Sequence, residues 1–599
     1  MIERLRKDAG LALLVLALLL AATLYAPTLG RGLVNYEDTW LYHDNFVLQD
    51  ASLTSLRVMF FDLDVHSPAR LAVAPEYLPV RDLSVMLDFA VWGDWYPGFH
   101  LVNLALYLVA IGLAFAMFTA FGIDRKVAGL ACLLWAIHPS HAESVAWLSE
   151  RKGLLAAVFV GLVGLGYARF RAGGRTHWLI LAAFASGCAV WSKAPAAFAI
   201  AALAGIELVA PAPRISWRRS LLGLGAIAVV SGLAFVPVLI MAAEAAVVGG
   251  SSAVPGGWAE IIVGTHGFYL QLAAMTVQNA IAYPISDIGP SAGQVTLGAL
   301  GLAALAAGLM PRLGRHRVPP EVRAGAVWWL AGWLPFSHLL VPLHMVAVAD
   351  RYALFLTIGF ALVVAAAVVR IPRALIRNAV VVALVVLAAV RTFDAQGSWA
   401  SSLALWERAV TSNPADGVAW SMFAEALDSA GEPALAEAAV EQGLTHSQEP
   451  RLLMRRGLLL LGRGDRAGAM PAFRAAAEAG EPRAMANLAL LELESGRIAE
   501  ALGWARRGAA AAPHLAHARR THGKVALTAK LHEEALTAFQ WAYAIEPSAV
   551  NRYNLAITLV ELGRIAEAMP HLEACAADAQ IGDVAKRVLS DARRRLAPP

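Results

Sequence analysis

Cysteine is nearly absent: Cys132, Cys188 and Cys575 are the only three in 599 residues. So few and so scattered, they exclude a disulfide framework and a cysteine metal site. Charge is scarce as well, at 16% of residues, where a soluble domain carries about 25%. Formal net charge is only +4, and the sequence pI of 9.0 reflects arginine in short loops. The basic stripe of a nucleic-acid binder is missing, so no nucleic-acid partner is expected. No cluster of His, Cys, Asp and Glu has convincing ligand spacing, so neither a metal nor another cofactor is expected. A small-residue cleavage site after the first apolar run is also lacking, which argues for an anchor over a removable signal peptide.

What the chain has in quantity is apolar sequence, 58% hydrophobic with mean hydropathy +0.57. The first run of membrane length, 11–29, follows Arg4, Arg6 and Lys7. Further runs recur at 97–120, 127–145, 152–170, 177–192, 194–211, 219–242, 294–311, 324–341, 351–370 and 375–392, about eleven spans in all. Basic loops at 125–126, 169–175, 214–219, 312–323 and 370–377 alternate with poorly charged ones. The positive-inside rule then predicts a cytoplasmic N-terminus, and the odd number of spans places everything after Arg391 on the far side. Two far-side segments, 31–96 and 243–293, are longer than a connection requires, which marks them as functional. Amphipathic stretches such as Leu53 to Phe61 suit the headgroup boundary. Tryptophans at 328, 329 and 399 read as interfacial belts.

From about Leu405 the composition shifts to Ala, Glu, Arg and Leu at helical spacing. Ala436, Ala469, Ala501, Ala535 and Ala568 recur every 32 to 34 residues, each preceded by a turn residue at Gly431, Gly464, Gly496, Lys530 and Gly563. Prolines at 414, 450, 482, 513 and 547 punctuate the same period. This is the tetratricopeptide pattern, which predicts an α-solenoid with a concave surface for peptide or protein. The fold class expected is therefore all-α, a polytopic membrane domain over 1–395 followed by a solenoid over 396–599.

Ionisable residues gather where spans meet the far side. Tyr36, Glu37 and Asp38 come first, then Tyr77, Pro79, Arg81 and Asp82. Tyr96-Pro97-Gly98-Phe99-His100 with Asn103 opens the second span. His138-Pro139-Ser140-His141-Ala142-Glu143 runs on to Trp147, Arg151 and Lys152; Lys193 and Asp350-Arg351-Tyr352 complete the set. Their shared side predicts a common cavity, because ionisable groups near a membrane are costly without a task.

These motifs, in this order and ahead of tetratricopeptide repeats, resemble the transmembrane and tetratricopeptide-repeat O-mannosyltransferases. That family has the GT-C fold and uses polyprenyl-phosphate sugars. Leu78 departs from it, since members often carry arginine before the proline. The resemblance implies a polyprenyl-phosphate sugar donor, a protein or peptide acceptor bound by the repeats, and the lipid bilayer as surroundings. The chemistry needs a base for the acceptor hydroxyl and cations for the departing phosphate. Asp38 or Glu37 is the expected base; Arg351, Arg151 and Lys152 are the expected phosphate ligands. His100, His138, His141, Glu143, Asp350 and Lys193 are expected to support them. An Ala/Arg-rich, Lys-poor composition suggests a bacterial inner membrane with periplasmic repeats.

Overall fold

The computed structural model describes residues 8–65, 67–73, 76–209, 216–244, 256–340 and 347–596. The cationic flank at Arg4, Arg6 and Lys7, Arg214, and part of the 243–293 segment lie outside the described residues. The described chain is helical almost throughout; one short antiparallel hairpin pairs Arg312–Leu313 with His316–Arg317.

Each of the eleven apolar runs contains a helix among the described residues. Seven form helices long and apolar enough to cross a membrane: Ala9–Gly30, Tyr96–Ala120, Leu148–Gly173, Trp217–Ala243, Ala292–Leu309, Asp350–Val369 and Ala374–Gly397. The chain is a multi-pass membrane protein. The other four runs give shorter helices, Arg125–Ala136, Thr176–Ser192, Phe198–Val209 and Pro320–Trp333. Pro139 accounts for one shortening, because it starts a 3₁₀ turn where the third run would otherwise continue. Small residues let backbones touch in this bundle. A Cβ on Gly10 would stand 2.2 Å from the Arg125 carbonyl oxygen, and one on Gly129 2.4 Å from that of Gly10.

Trp328 and Trp329 are not belt residues. Both are buried, donating their indole N–H to the Phe355 carbonyl (2.8 Å) and to His266 Nε2 (3.0 Å). The apolar rings fill the bundle core, and each N–H finds an internal acceptor, the condition for burying tryptophan. The 243–293 segment holds a helix of its own, Trp258–Ala273. Leu53–Phe61 is helical and exposes Leu53 and Phe61, as an amphipathic surface stretch should.

The chain divides into two compact units. The first comprises Met1–Tyr42, Ala51–Leu63 and Glu76–Asn413; the second comprises His43–Asp50, Asp64–Pro75 and Pro414–Pro599. In the second unit five helical hairpins follow one another, beginning at Gly417, Pro450, Pro482, Ala516 and Ala549, and helix Gly582–Leu596 ends the array. The five periodic alanines are fully buried between paired helices. Pro450 and Pro482 open a hairpin at the first helical position, where the missing N–H costs nothing. Segments of the first long loop belong to this unit as well. Helix Pro68–Val73 packs on helix His532–Ile545, and Val47, Leu48 and Val73 are buried.

The turn residues explain themselves. Gly431, Gly464, Gly496 and Gly563 have φ between +74° and +82°, and Lys530 holds the same left-handed turn at +61°. A side chain there costs about 1–2 kcal/mol, partly offset by the larger unfolded-state entropy of glycine, about 0.5–1 kcal/mol. Lys530→Gly is therefore expected to stabilise the array by up to about 1 kcal/mol. The check is thermal unfolding of the detergent-solubilised protein followed by circular dichroism; a lowered midpoint would contradict it.

Candidate active site

Six consecutive residues, Trp147 to Lys152, build the site. The chain leaves helix Ala142–Ala146, passes Trp147 in extended conformation, makes a 3₁₀ turn over Leu148–Glu150, and enters helix Arg151–Gly173. Each residue of this stretch holds something different. The Trp147 ring stacks on Trp399 (centroids 5.4 Å apart) and lies 4.7 Å from the Tyr36 ring. The Leu148 carbonyl accepts from Tyr42 Oη at 2.7 Å. Ser149 donates twice to Asp38 Oδ1, from its backbone N at 3.1 Å and its Oγ at 2.5 Å. Glu150 pairs with Lys193. Arg151 pairs with Asp88, and Lys152 Nζ sits 3.4 Å from Glu76 and 3.8 Å from Glu37.

Asp38 is the best-determined carboxylate of the cluster. Its Oδ2 accepts from the Val34 backbone N at 3.1 Å, and the side chain is 1% exposed. Burial raises its pKa to about 7, while the bonds from Ser149 and Val34 pull the other way and Glu37 adds to the rise. The strand of chain carrying it is tied down from the far end of the same unit. Arg31 donates to the Gln396 carbonyl (2.7 Å), the Asn35 backbone N to Ser402 Oγ (3.0 Å), and Trp406 Nε1 to Asn35 Oδ1 (2.7 Å). Glu37, by contrast, is 30% exposed.

The cations divide into two sets. Arg351 donates to Glu143 from Nη1 at 2.5 Å and from its backbone N at 2.8 Å. Its guanidinium lies 5.7 Å from the Trp147 ring centre and 5.1 Å from that of Tyr352; Lys193 Nζ approaches the same tyrosine ring at 5.7 Å. Three ion-paired groups thus lie side by side: Glu143 with Arg351, Glu150 with Lys193, and Lys152 with Glu37 and Glu76. Arg351 and Lys152 reach this row with part of the head group at the surface. Arg151 does not share that position. It is wholly buried and donates to Asn103 Oδ1 (2.7 Å), the Phe99 carbonyl (2.8 Å), Ser84 and Asp88, which makes it a clamp on 84–103.

The remaining expected residues frame the site. His138 bonds Ser140 Oγ (2.7 Å) and the Ala273 carbonyl (3.1 Å); His141 bonds Tyr107 (2.8 Å) and Thr357 (2.9 Å). With both ring nitrogens engaged, these imidazoles hold helices together. Asp350 accepts from Asn279 (2.7 Å) and from Tyr283 Oη (2.5 Å), fixing the start of its helix. His100 is buried near Arg31 and Gly32.

Ser149, Glu150, Asp88 and Glu76 escaped the sequence reading. Ser149 and Glu150 had a signal, since polar residues interrupt the apolar sequence directly before Arg151. Asp88 and Glu76 had none, because their partners lie far along the chain. Trp399 is buried against Trp147 and is not a belt residue.

A clamp role for Arg151 has a measurable signature. Arg151→Gln leaves Asp88 charged, buried and unpaired, at a cost of about 3–5 kcal/mol. The double change Arg151→Met with Asp88→Leu should recover much of that loss. Thermal unfolding of the three proteins in one detergent is the check; equal stability of wild type and Arg151→Gln would contradict it.

No family model matches the chain. Curated relatives do match over part of it. Protein O-mannosyl-transferase TMTC4 of Homo sapiens is 30% identical over 20% of this chain and 19% of that protein. Protein O-mannosyl-transferase Tmtc1 of Drosophila melanogaster is 31% identical over 23% of this chain and 16% of that protein. The chain thus spans under a fifth of the length of these curated relatives. Among solved structures, the apo Archaeoglobus fulgidus oligosaccharyltransferase aligns at TM-score 0.40 with 14% identity, over 68% of this chain and 59% of that one. The tetratricopeptide protein YrrB aligns at TM-score 0.25 with 20% identity, over 30% of this chain and 97% of that one. Over the matched stretch, this helical membrane protein with a repeat array is similar to the transmembrane and tetratricopeptide-repeat O-mannosyltransferases.

Proposed function

We propose that the chain is an integral membrane glycosyltransferase of the GT-C type. It moves a sugar, mannose or a similar hexose, from a polyprenyl-phosphate donor to a hydroxyl acceptor, Ser or Thr of a protein. The observation that carries this reading is Asp38: a buried carboxyl with a pKa near 7, held by Ser149 two and three residues before Arg151 and Lys152. A base poised near the working pH suits proton abstraction from a hydroxyl. The similarity to protein O-mannosyl-transferases supports the same class.

In the proposed reaction the acceptor oxygen attacks the anomeric carbon as its proton passes to Asp38. The bond from that carbon to the phosphate oxygen breaks, and the electron pair leaves with polyprenyl phosphate. A single displacement of this kind inverts the anomeric centre. Lys152 and Arg351 stabilise the leaving phosphate, with the planar guanidinium giving two parallel bonds. Glu143 orients Arg351 from behind through two bonds, and Lys193 is paired with Glu150 beside them. Glu37, more exposed than Asp38, faces Lys152 and tunes its reach. The scheme draws on no metal. Loop charge supports a cytoplasmic N-terminus with the site and repeats on the far side; the Ala/Arg-rich, Lys-poor composition supports a bacterial inner membrane, whose far side is the periplasm.

The test is transfer from a panel of polyprenyl-phosphate sugars by purified protein. Asp38→Asn is expected to lower the rate about 10²–10⁴-fold, the usual range for loss of a general base, with Glu37→Gln affected less. The base must be ionised, and its pKa is raised to about 7. Hence kcat/KM should fall about tenfold per pH unit below that value and level off above it. Ser149→Ala removes a bond that lowers the Asp38 pKa, so the falling limb should move to higher pH. Transfer unaffected by Asp38→Asn would refute the assignment.

A further inference from the structure

The acids that hold the cations of the site differ in what it costs to move them. The side chains of Asp88, Glu143 and Glu150 are 7%, 2% and 0% exposed. Taking any of them off its partner strands a buried charge, so Arg151, Arg351 and Lys193 keep fixed partners. Lys152 is the exception. Its Nζ donates to Glu76 Oε2 at 3.4 Å and lies 3.8 Å from Glu37. The Glu76 side chain is 59% exposed, although that of Lys152 is only 12% exposed. A pair this long, with its acid in water, contributes little. Swinging outward returns the carboxylate to solvent and leaves the ammonium in place for another anion.

The two acids on Lys152 are not equivalent. Glu37 is tied in place: its carbonyl accepts from the Leu41 backbone N at 3.1 Å, and the anchored Asp38 follows it. Glu76 hangs from a fixed backbone. Tyr77 and Leu78 behind it are buried, Tyr77 Oη donates to the Phe60 carbonyl at 3.0 Å, and Pro79 opens helix Pro79–Trp92. Only the Glu76 side chain has to move. A second cation favours an anion at this point. Arg81, 1% exposed, donates from Nε to Asp82 at 2.6 Å, and its Nη2 has no acceptor among the described residues. The field of Lys152, joined by that of Arg81, holds the Glu76 carboxyl below its usual range, so it is ionised at neutral pH.

We infer that the Glu76 carboxylate is a resident stand-in for the carrier phosphate: it neutralises Lys152 in the empty site, gives way to the donor, and returns to displace the spent carrier. The inference rests on the reading of the chain as a polyprenyl-phosphate-dependent transferase, and it adds how the product leaves. The donor is a phosphodiester with one negative charge. The carrier left after transfer is a monoester, whose second ionisation falls near pH 6 and brings its charge to about −1.5 to −2 at neutral pH. It therefore clings to Lys152 more tightly than the donor did. A carboxylate tethered beside the ammonium competes at high local concentration and offsets that gain.

The test is binding of farnesyl phosphate, a short isoprenyl monoester, to the immobilised full-length protein in detergent, followed by surface plasmon resonance without any sugar. Glu76→Gln should tighten binding about fivefold, chiefly through slower dissociation. Lys152→Gln should weaken it. Adding Glu76→Gln to Lys152→Gln should then recover less than about twofold, because both act on one ammonium. Farnesol, the same chain without phosphate, should bind wild type and Glu76→Gln alike. Weaker binding by Glu76→Gln would make Glu76 a support for Lys152 and overturn the inference. An equal gain on the Lys152→Gln background would overturn it too, as a general effect of charge. Farnesyl phosphate bound through Lys152 but indifferent to Glu76→Gln would overturn the exchange alone and leave the proposed donor chemistry standing. Farnesyl phosphate bound no better than farnesol in every variant would refute the phosphate site itself, and the exchange with it.

Discussion

The double contact from Ser149 to Asp38 is the constraint on which the rest of the membrane unit's site depends. An acidic side chain buried this deeply is tolerable only when donors meet it. Ser149 supplies two and Val34 one, and together they hold the first long loop against the start of helix Arg151–Gly173. Once that junction is made, the next residues have no freedom. Glu150 must face Lys193, Arg151 must enter the pocket of Asp88 and Asn103, and Lys152 must emerge between Glu37 and Glu76.

Buried ion pairs are poor sources of stability, because desolvation cancels most of their attraction. Their value here is geometric. Glu143, Arg351, Lys193 and Glu150 come from different helices, and pairing them sets the relative position of those helix ends to within a hydrogen bond. Aromatic rings keep the arrangement dry on one side: Trp147 is covered by Tyr36 and Trp399, and Tyr352 stacks on Phe336 at 4.3 Å. Low local polarity strengthens every remaining charge, including any developing on a substrate. The same burial that lifts the Asp38 pKa therefore also makes the neighbouring cations effective.

Much of this was legible in the residues. Periodic alanines and left-handed turns announced the solenoid because each repeat obeys one local rule, and even Lys530 keeps the register. Apolar runs announced the spans, although Pro139 shortened one. The cluster of Asp38, Glu37, Lys152, Arg351, Glu143 and Lys193 was foreseen from shared sidedness. What sequence could not separate was Arg151 from Lys152. Adjacent cations at a helix start point about 100° apart, so one enters the core while the other reaches the site. Nor could it tell a tryptophan at the interface from one in the core, since Trp328 and Trp329 owe their burial to distant acceptors.

The central claim is that a phosphate-bearing lipid meets Lys152 and Arg351 beside Asp38. The most direct measurement is a cryo-electron microscopy structure of the protein in lipid nanodiscs with polyprenyl phosphate added. The account predicts phosphate density within hydrogen-bond distance of Lys152 Nζ and of the free side of the Arg351 guanidinium, with Asp38 still bonded to Ser149. Phosphate density away from both cations, with the Glu143–Arg351 and Lys152–Glu37 pairs undisturbed, would contradict it.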